Sequence, residues 1–323
     1  MNPRLCVMTL AAALVAATSF TVSAQTYPAR PIRIVVAYAA GGGVDIVTRT
    51  VGQKLSELVG RPVVVDNRPG ASTNIGSELV AKAAHDGYTL LMASSANATN
   101  MTLFRKPPYD TLRDFAPVTQ VGYGPQVLVT SPSFAARSVK ELLALARAKP
   151  GQLSYASGGN GSSQHLTGEM FKLMGKAEIV HVPYKGGAPA LIDVIGGQVA
   201  FMFINTLEAL PHAQSGRLKV LAVASAKRSA VFPQTPTFAE AGFPGFESVA
   251  WWGVLAPAGT PKEVIGRLHA EIAKALTAPE VKERFAGLGA ETVGSTPEQF
   301  GAFLREEIQK WGKVIRTLGI KAD

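Results

Sequence analysis

The chain is almost free of cysteine. Cys6 is the sole cysteine among its 323 residues. A disulfide within the chain and a zinc site built on several thiolates are therefore excluded, and the fold must be held by its hydrophobic core alone.

Charged residues are also few, at 17%, whereas hydrophobic residues make up 47%. This balance is typical of a globular chain and excludes a disordered one. The net charge is +9, but the Lys and Arg residues are scattered and are not interleaved with aromatic residues, which argues against a nucleic-acid partner. Beyond residue 24, no apolar run is long enough to span a bilayer. The basic charge can still steer anionic ligands.

The N-terminus carries the pattern of a secretory signal. Arg4 precedes an apolar stretch at residues 5–17, and small residues lead to Ala24. The stretch is too short for a membrane span and lacks the amphipathic stripe of a buried helix, which is the alternative reading. We predict a signal peptide over residues 1–24, cleaved near Ala24, and export to the periplasm. Cleavage removes Cys6 and Arg4, so the net charge falls from +9 to +8.

Apolar β-branched runs alternate with helical patterns, which predicts an α/β chain with a parallel sheet. The predicted strands are 32–36, 63–66, 89–93, 127–130, 153–156, 179–182, 199–204, 220–224 and 252–255. The predicted helices are 45–59, 74–84, 138–148, 164–174, 190–195, 261–275 and 297–318.

The chain is long enough for two lobes, each with its own core. The C-terminal part has too few strands to fold as a lobe of its own, so we expect it to cover the first one. This assigns residues 25–125 and 246–323 to lobe 1, and residues 126–245 to an inserted lobe 2. Two crossings, near residues 125 and 246, would form a hinge.

Four strand-to-helix junctions are rich in small residues. At the first, a strand at Ile32–Val36 runs through Gly41, Gly42 and Gly43 into a helix. Glycines let bare amides approach a ligand, and a helix N-terminus favours an anion. The others lie at residues 66–76, 157–163 and 184–189. Ordinary helix capping is enough to explain the small residues at any single junction. Four such junctions facing one cleft favour an anion-binding site.

Enzymatic patterns are incomplete. Residues 159–164 lack the third glycine of Gly-x-Gly-x-x-Gly, and residues 70–74 lack the last glycine of Gly-x-Ser-x-Gly. A secreted serine hydrolase would use Ser72, Ser94 or Ser162 as its nucleophile, but no base is placed nearby in sequence. The five histidines do not have metal-ligand spacing. We therefore predict no catalytic residue, no metal and no cofactor.

Six ordered segments closely resemble the Bug family, the periplasmic solute-binding proteins of tripartite tricarboxylate transporters. They are residues 39–45, 67–71, 74–76, 86–90, 161–166 and 181–186, and the resemblance extends from about Tyr27 to the C-terminus. It implies a two-lobed Venus flytrap of the type II periplasmic binding protein fold, which closes on a small carboxylate.

The resemblance also implies the ligand-binding residues. In lobe 1 they are Tyr38, Ala40, Gly43, Asp45, Gly70, Ala71, Ser72 and Ser94; in lobe 2 they are Ser157, Gly158, Ser162, Ala188 and Asn205. Asp45 has two interpretations: it caps the first helix and fixes the loop, or it meets an ammonium group of the ligand. The chain departs from the family pattern at Ser72 and Thr73, where glycines are common, and at Ile204, where aspartate is frequent.

The implied function is a receptor that captures a dicarboxylate, tricarboxylate, aromatic acid or amino acid. It is expected to act as a monomer and to deliver its ligand to a membrane transporter of one large and one small subunit. A sensor that contacts a signalling protein is the alternative on the same scaffold.

Overall fold

The computed structural model describes residues 27–321, so the predicted signal peptide and Cys6 lie outside the described residues. The strands are β1 (Ile32–Val36), β2 (Val63–Asn67), β3 (Thr89–Ala93), β4 (Phe115–Thr130), β5 (Ser154–Ser157), β6 (Val180–Pro183), β7 (Phe201–Asn205), β8 (Lys219–Val223), β9 (Val249–Pro257) and β10 (Glu291–Thr292). The helices are α1 (Gly43–Val59), α2 (Asn74–Ala81), α3 (Ser95–Leu103), α4 (Val139–Ala148), α5 (Ser163–Gly175), α6 (Gly187–Ile195), α7 (Thr206–Gln214), α8 (Lys262–Thr277), α9 (Pro279–Gly287) and α10 (Pro297–Leu318).

Strand β4 connects two groups of strands. In the first group β1 pairs in parallel with β2 and β3, and β9 runs antiparallel to β3. In the second, β5 pairs in parallel with β6 and β7. Residues 115–125 of β4 pair with β9, and residues 126–130 pair with β7 and β8. The chain therefore changes hydrogen-bonding partners between Pro125 and Gln126, and the result is a two-lobed α/β fold.

Each group of strands has its own core. Trp252 and Leu268 belong to the core that covers β1 and β3. Phe171 of α5 belongs to another, in which phenylalanines from β7 and from the segment after β8 surround it. Within residues 27–321, no helix has the length and apolar character needed to cross a membrane.

The structure extends some predicted elements and adds others. Strand β4 begins twelve residues before the predicted strand at Val127, since Pro117, Gly122 and Pro125 interrupt the apolar pattern there. Helices α3, α7 and α9 were not predicted. Helix α3 consists mostly of small and polar residues, and these are buried on nearly all sides of the helix. It therefore lacks the amphipathic stripe by which a helix is predicted. Helix α7 contains Pro211, which normally indicates a helix end.

Candidate functional site: a cleft at five helix N-termini

Five helices begin at one small cavity of about 40 Å³. Helices α1 and α3 approach it from the first group of strands, and α5, α6 and α7 approach it from the second. The residues that line it at these helix starts are Gly42, Gly43, Val44, Ser94, Ser95, Ser162, Ser163, Gln164, Gly187, Asn205 and Glu208; Tyr38, Ala250, Trp251 and Trp252 complete the wall.

The electrostatics of this cavity come from the backbone. Each helix N-terminus carries roughly half a positive charge and amide groups without partners inside the helix. Among the described residues that line the cavity there is no Lys, Arg or His. An anion would therefore be held by oriented amides, with hydroxyl groups of Ser94 and Tyr38 close by; the Tyr38 Oη to Ser94 Oγ distance is 2.9 Å.

A second cavity of about 40 Å³ shares Tyr38 with the first, and its lining includes Gly70, Ala71, Ser72, Gly158, Tyr184 and the basic residue Lys185. The turn at residues 71–73 has an uncommon backbone: φ is 44° at Ala71, 52° at Ser72 and 74° at Thr73. Side chains other than glycine enter this left-handed region at a cost, which gives a physical reason why glycine suits these positions.

Helix α3 holds this strained turn in place. The Asn100 side-chain amide donates to the backbone oxygen of Ser72 at 2.7 Å and to Asn74 Oδ1 at 3.0 Å. The turn is thus stabilised from outside itself, as a functional loop with a strained backbone requires.

The two walls of the cleft are in direct contact. Ala39 N–H donates to Lys185 O at 2.9 Å, and Thr99 Oγ1 donates to Gly161 O at 2.8 Å. A volume of about 40 Å³ holds only a few water-sized groups, since one water needs roughly 10–15 Å³ of such space. The structure therefore shows the cleft closed.

The structure brings most of the predicted site residues to the two cavities. Tyr38, Gly43, Ser94, Ser162 and Asn205 line the first, and Tyr38, Gly70, Ala71, Ser72 and Gly158 line the second. Ala40 is exposed, Asp45 and Ser157 are buried outside both cavities, and Ala188 lines a separate cavity beside α7. Ile204 packs inside the hydrophobic core of β7.

Asp45 makes the contacts of a residue that fixes a loop. Its Oδ2 accepts from Gly41 N–H and Arg49 Nε, both at 2.9 Å, and its Oδ1 accepts from Asn67 Nδ2 at 3.0 Å. Burial alone would raise the pKa of Asp45, but these hydrogen bonds outweigh it and lower the pKa. Gly41 precedes the N-cap residue Gly42, so the Asp45 side chain fixes the glycine loop but does not cap α1.

Ser157 belongs to a buried serine–histidine contact that was not predicted. Its Oγ lies 2.6 Å from His181 Nε2, and the rings of His181 and His165 stack with centroids 4.0 Å apart. Burial lowers the pKa of His165 to about 4 and of His181 to about 3, so both are neutral at pH 7. Ser157 is completely buried, so this contact stabilises the loop after β5. Across residues 27–321, no three His, Asp or Glu side chains converge as they would around a metal ion.

Glu208 is the main cavity residue that the sequence reasoning missed. Asn205 Oδ1 accepts from Glu208 N–H at 3.3 Å and so caps α7. The spacing Asn-x-x-Glu after the apolar run 201–204 is a helix-start signal that could have revealed a fifth junction. Gln164, which follows a predicted junction, is also in the wall.

Trp251, in the cavity wall, is positioned by a buried acid of α10. Glu307 Oε2 accepts from Trp251 Nε1 at 2.9 Å and from Trp311 Nε1 at 2.8 Å. We expect Glu307→Ala to lower the free energy of unfolding by about 2–4 kcal/mol, because it leaves two buried indole N–H groups unpaired. Urea denaturation followed by tryptophan fluorescence measures this. Glu306→Ala, at the exposed neighbouring position, is the control; equal midpoints for both variants would contradict the assignment.

Comparison with known proteins agrees with this geometry. Residues 47–320 match the model of the family described as "Tripartite tricarboxylate transporter family receptor". The chain is 43% identical over 302 residues to Protein BugT of Bordetella pertussis, covering 93% of each chain. It is similar to the structure of periplasmic binding protein BugD, with 34% identity and a TM-score of 0.89 over 92% of this chain and 100% of that one. It is also similar to an R. palustris protein solved with adipate, with 37% identity and a TM-score of 0.88 over 91% of this chain and 99% of the other.

The fold and the cleft thus define a two-lobed periplasmic binding protein. The chain belongs to the Bug family, the receptors of tripartite tricarboxylate transporters. This is a family of solute receptors rather than enzymes.

Proposed function

We propose that this receptor captures a small carboxylate between its lobes and delivers it to a tripartite tricarboxylate transporter. The observation that carries the proposal is the convergence of five helix N-termini on a cavity whose described lining has no basic side chain. The adipate in the structure of the R. palustris relative supports the same ligand class.

The affinity would come from backbone amides and hydroxyl groups. A hydrogen bond to a charged group contributes roughly 1.5–3 kcal/mol, and closure strengthens it by removing water. Three or four such bonds, less the cost of ordering the ligand and closing the lobes, support a dissociation constant on the order of micromolar. No covalent step is needed.

We also propose the division into lobes at residues 125 and 246, with export directed by residues 1–24. The change of strand partners after Pro125 supports the first crossing. Ser248 N–H donates to Ala224 O and Gln126 N–H donates to Ser248 O, so the second crossing lies beside the first. Two adjacent crossings leave the lobes free to open as rigid bodies.

Thermal unfolding of residues 25–323 against a panel of carboxylates tests the function. An acid at 100 times its dissociation constant should stabilise the protein by about 2.7 kcal/mol and raise its melting temperature. Ser72→Trp fills the second cavity and should abolish the shift, whereas Ser133→Trp, at an exposed position, should retain it. If no acid shifts the transition, the carboxylate assignment fails.

A further inference from the structure

Glu208 presents a free carboxyl oxygen inside the candidate ligand site. Its side chain is buried, with 5% exposure, and it lines the cavity at the N-terminus of α7. Oε1 accepts from Asn205 Nδ2 at 2.6 Å; the Gly43 backbone N–H approaches the carboxyl group without forming a well-aligned hydrogen bond, and Oε2 is left without a partner of good geometry among the described residues. Burying a carboxylate oxygen without a hydrogen-bond donor costs free energy. Protonation of Oε2, or a donor on the ligand, would remove that cost.

Oε2 lies close to helix starts on both sides of the cleft. Glu208 belongs to α7, yet Oε2 lies against Gly42 and Gly187, at the starts of α1 and α6. A Cβ on Gly42 would be 3.4 Å from Oε2, and a Cβ on Gly187 would overlap it. The absence of a side chain at Gly187 gives Oε2 its space, and a ligand held by the α1 amides would meet this oxygen.

The charged neighbours of Glu208 do not neutralise it. Tyr38 is the titratable group of the β1 side, and Glu208 contributes to raising its pKa. On α1, Asp45 and Arg49 are paired with each other. On α7, His212 lines a separate cavity with Glu208, and burial lowers the pKa of His212. The wall residues on α5 and α6, Gln164 and Gly187, carry no charge.

Burial raises the pKa of Glu208 to about 7, and the Gly43 amide and Asn205 offset only part of the effect. A ligand carboxylate beside it would raise this pKa further, because two adjacent carboxylates share a proton rather than both remain ionised. The resulting O–H···O⁻ hydrogen bond is of the strong, charge-assisted kind. A ligand ammonium group would also satisfy Oε2, but the five helix N-termini disfavour a cation.

We propose that Glu208 meets a carboxylate of the bound acid as a neutral hydrogen-bond donor, so that each acid molecule binds together with one proton. This rests on the proposed function, since it concerns how the same cleft accommodates the charge of its ligand. Glu208 is then a specificity residue that favours a second acidic group on the ligand over a cationic one.

Adipate binding measured by calorimetry from pH 5.5 to 8.5 tests the proposal. For the wild type, the dissociation constant should be flat below pH 7 and rise about tenfold per pH unit above it, since the free protein must then regain a proton. Above about pH 8, buffers of different ionisation enthalpy should report close to one proton taken up per adipate, and at pH 5.5 close to none, because Glu208 is then already protonated in the free protein. Glu208→Gln keeps a donor at this position and should bind with little pH dependence, whereas Glu178→Gln, at an exposed position, should behave as the wild type.

Two results would overturn the proposal. One is a pH-independent wild type. The other is a wild type that binds more tightly as pH rises, combined with a loss of about 100-fold in Glu208→Gln, which would identify a cationic ligand group instead.

Infrared spectroscopy of the ligand-free protein at pH 6 tests the protonation of Glu208 even if adipate does not bind. A protonated carboxyl band in the wild type that is missing from Glu208→Gln supports the proposal, and no difference between the two proteins overturns it. If the proposed function itself is wrong, no acid will bind at any pH. This result is distinct from the results that overturn the role of Glu208.

Discussion

Gly43→Ala is expected to weaken ligand binding about 100-fold while both lobes stay folded. A Cβ at Gly43 would overlap the Asn205 amide nitrogen and lie 2.9 Å from Asn205 Oδ1 across the closed cleft. Asn205 cannot simply turn away, because it caps α7 and donates to Glu208. Overpacking costs about 1–3 kcal/mol and the lost cap about 1 kcal/mol, and both costs fall on the closed state.

The measurement is calorimetric titration with an acid that binds the wild type, accompanied by thermal unfolding without ligand. Gly42→Ala adds the same methyl group one residue earlier, where the nearest atom is Glu208 Oε2 at 3.4 Å, and should change affinity by only a few fold. If Gly43→Ala binds like the wild type, closure does not bring α1 against Asn205 when ligand is bound.

Phe171→Ala is expected to lower the free energy of unfolding by about 3–5 kcal/mol. The Phe171 ring is fully buried and contacts five other phenylalanine rings, at centroid distances between 5.6 and 6.4 Å. Truncation removes the apolar contacts and leaves a cavity that rigid aromatic neighbours fill poorly.

Urea denaturation followed by circular dichroism measures the loss. Leu173→Ala, two residues later on the same helix, is the matched control because Leu173 is 59% exposed; its effect should stay within about 0.5 kcal/mol. Equal effects of the two substitutions would show that Phe171 does not anchor this core.

Much of the site was readable in sequence because its chemistry is local. Gly41 to Gly43 lie between a strand and a helix, and such a glycine run indicates a helix N-terminus whose amides are accessible to a ligand. Ser162 caps α5 through a local hydrogen bond, which is also readable from the sequence. The structure places the junctions at Gly43, Ser162 and Gly187 in one cavity wall, and the junction at Ser72 in the neighbouring cavity.

The rest of the site depends on contacts between distant residues. Glu208 reads as an ordinary first-turn acid of a helix, and only packing against α1 and α6 buries it. Helix α3 cannot be predicted from the sequence, because its buried residues show no helical periodicity. Its start nevertheless contributes Ser94 and Ser95 to the wall of the first cavity. Trp251 owes its position to Glu307, 56 residues later in the chain.

The sequence by itself determined the α/β class, the glycine-rich helix starts and the family, because these depend on local spacing and on ordered motifs along the chain. The tertiary structure decided which helix starts meet, which acid lies buried among them and how the turn at residues 71–73 is held. The physical reason is that burial and unpaired hydrogen-bonding groups are properties of a packed environment, and residues far apart in the chain create that environment together.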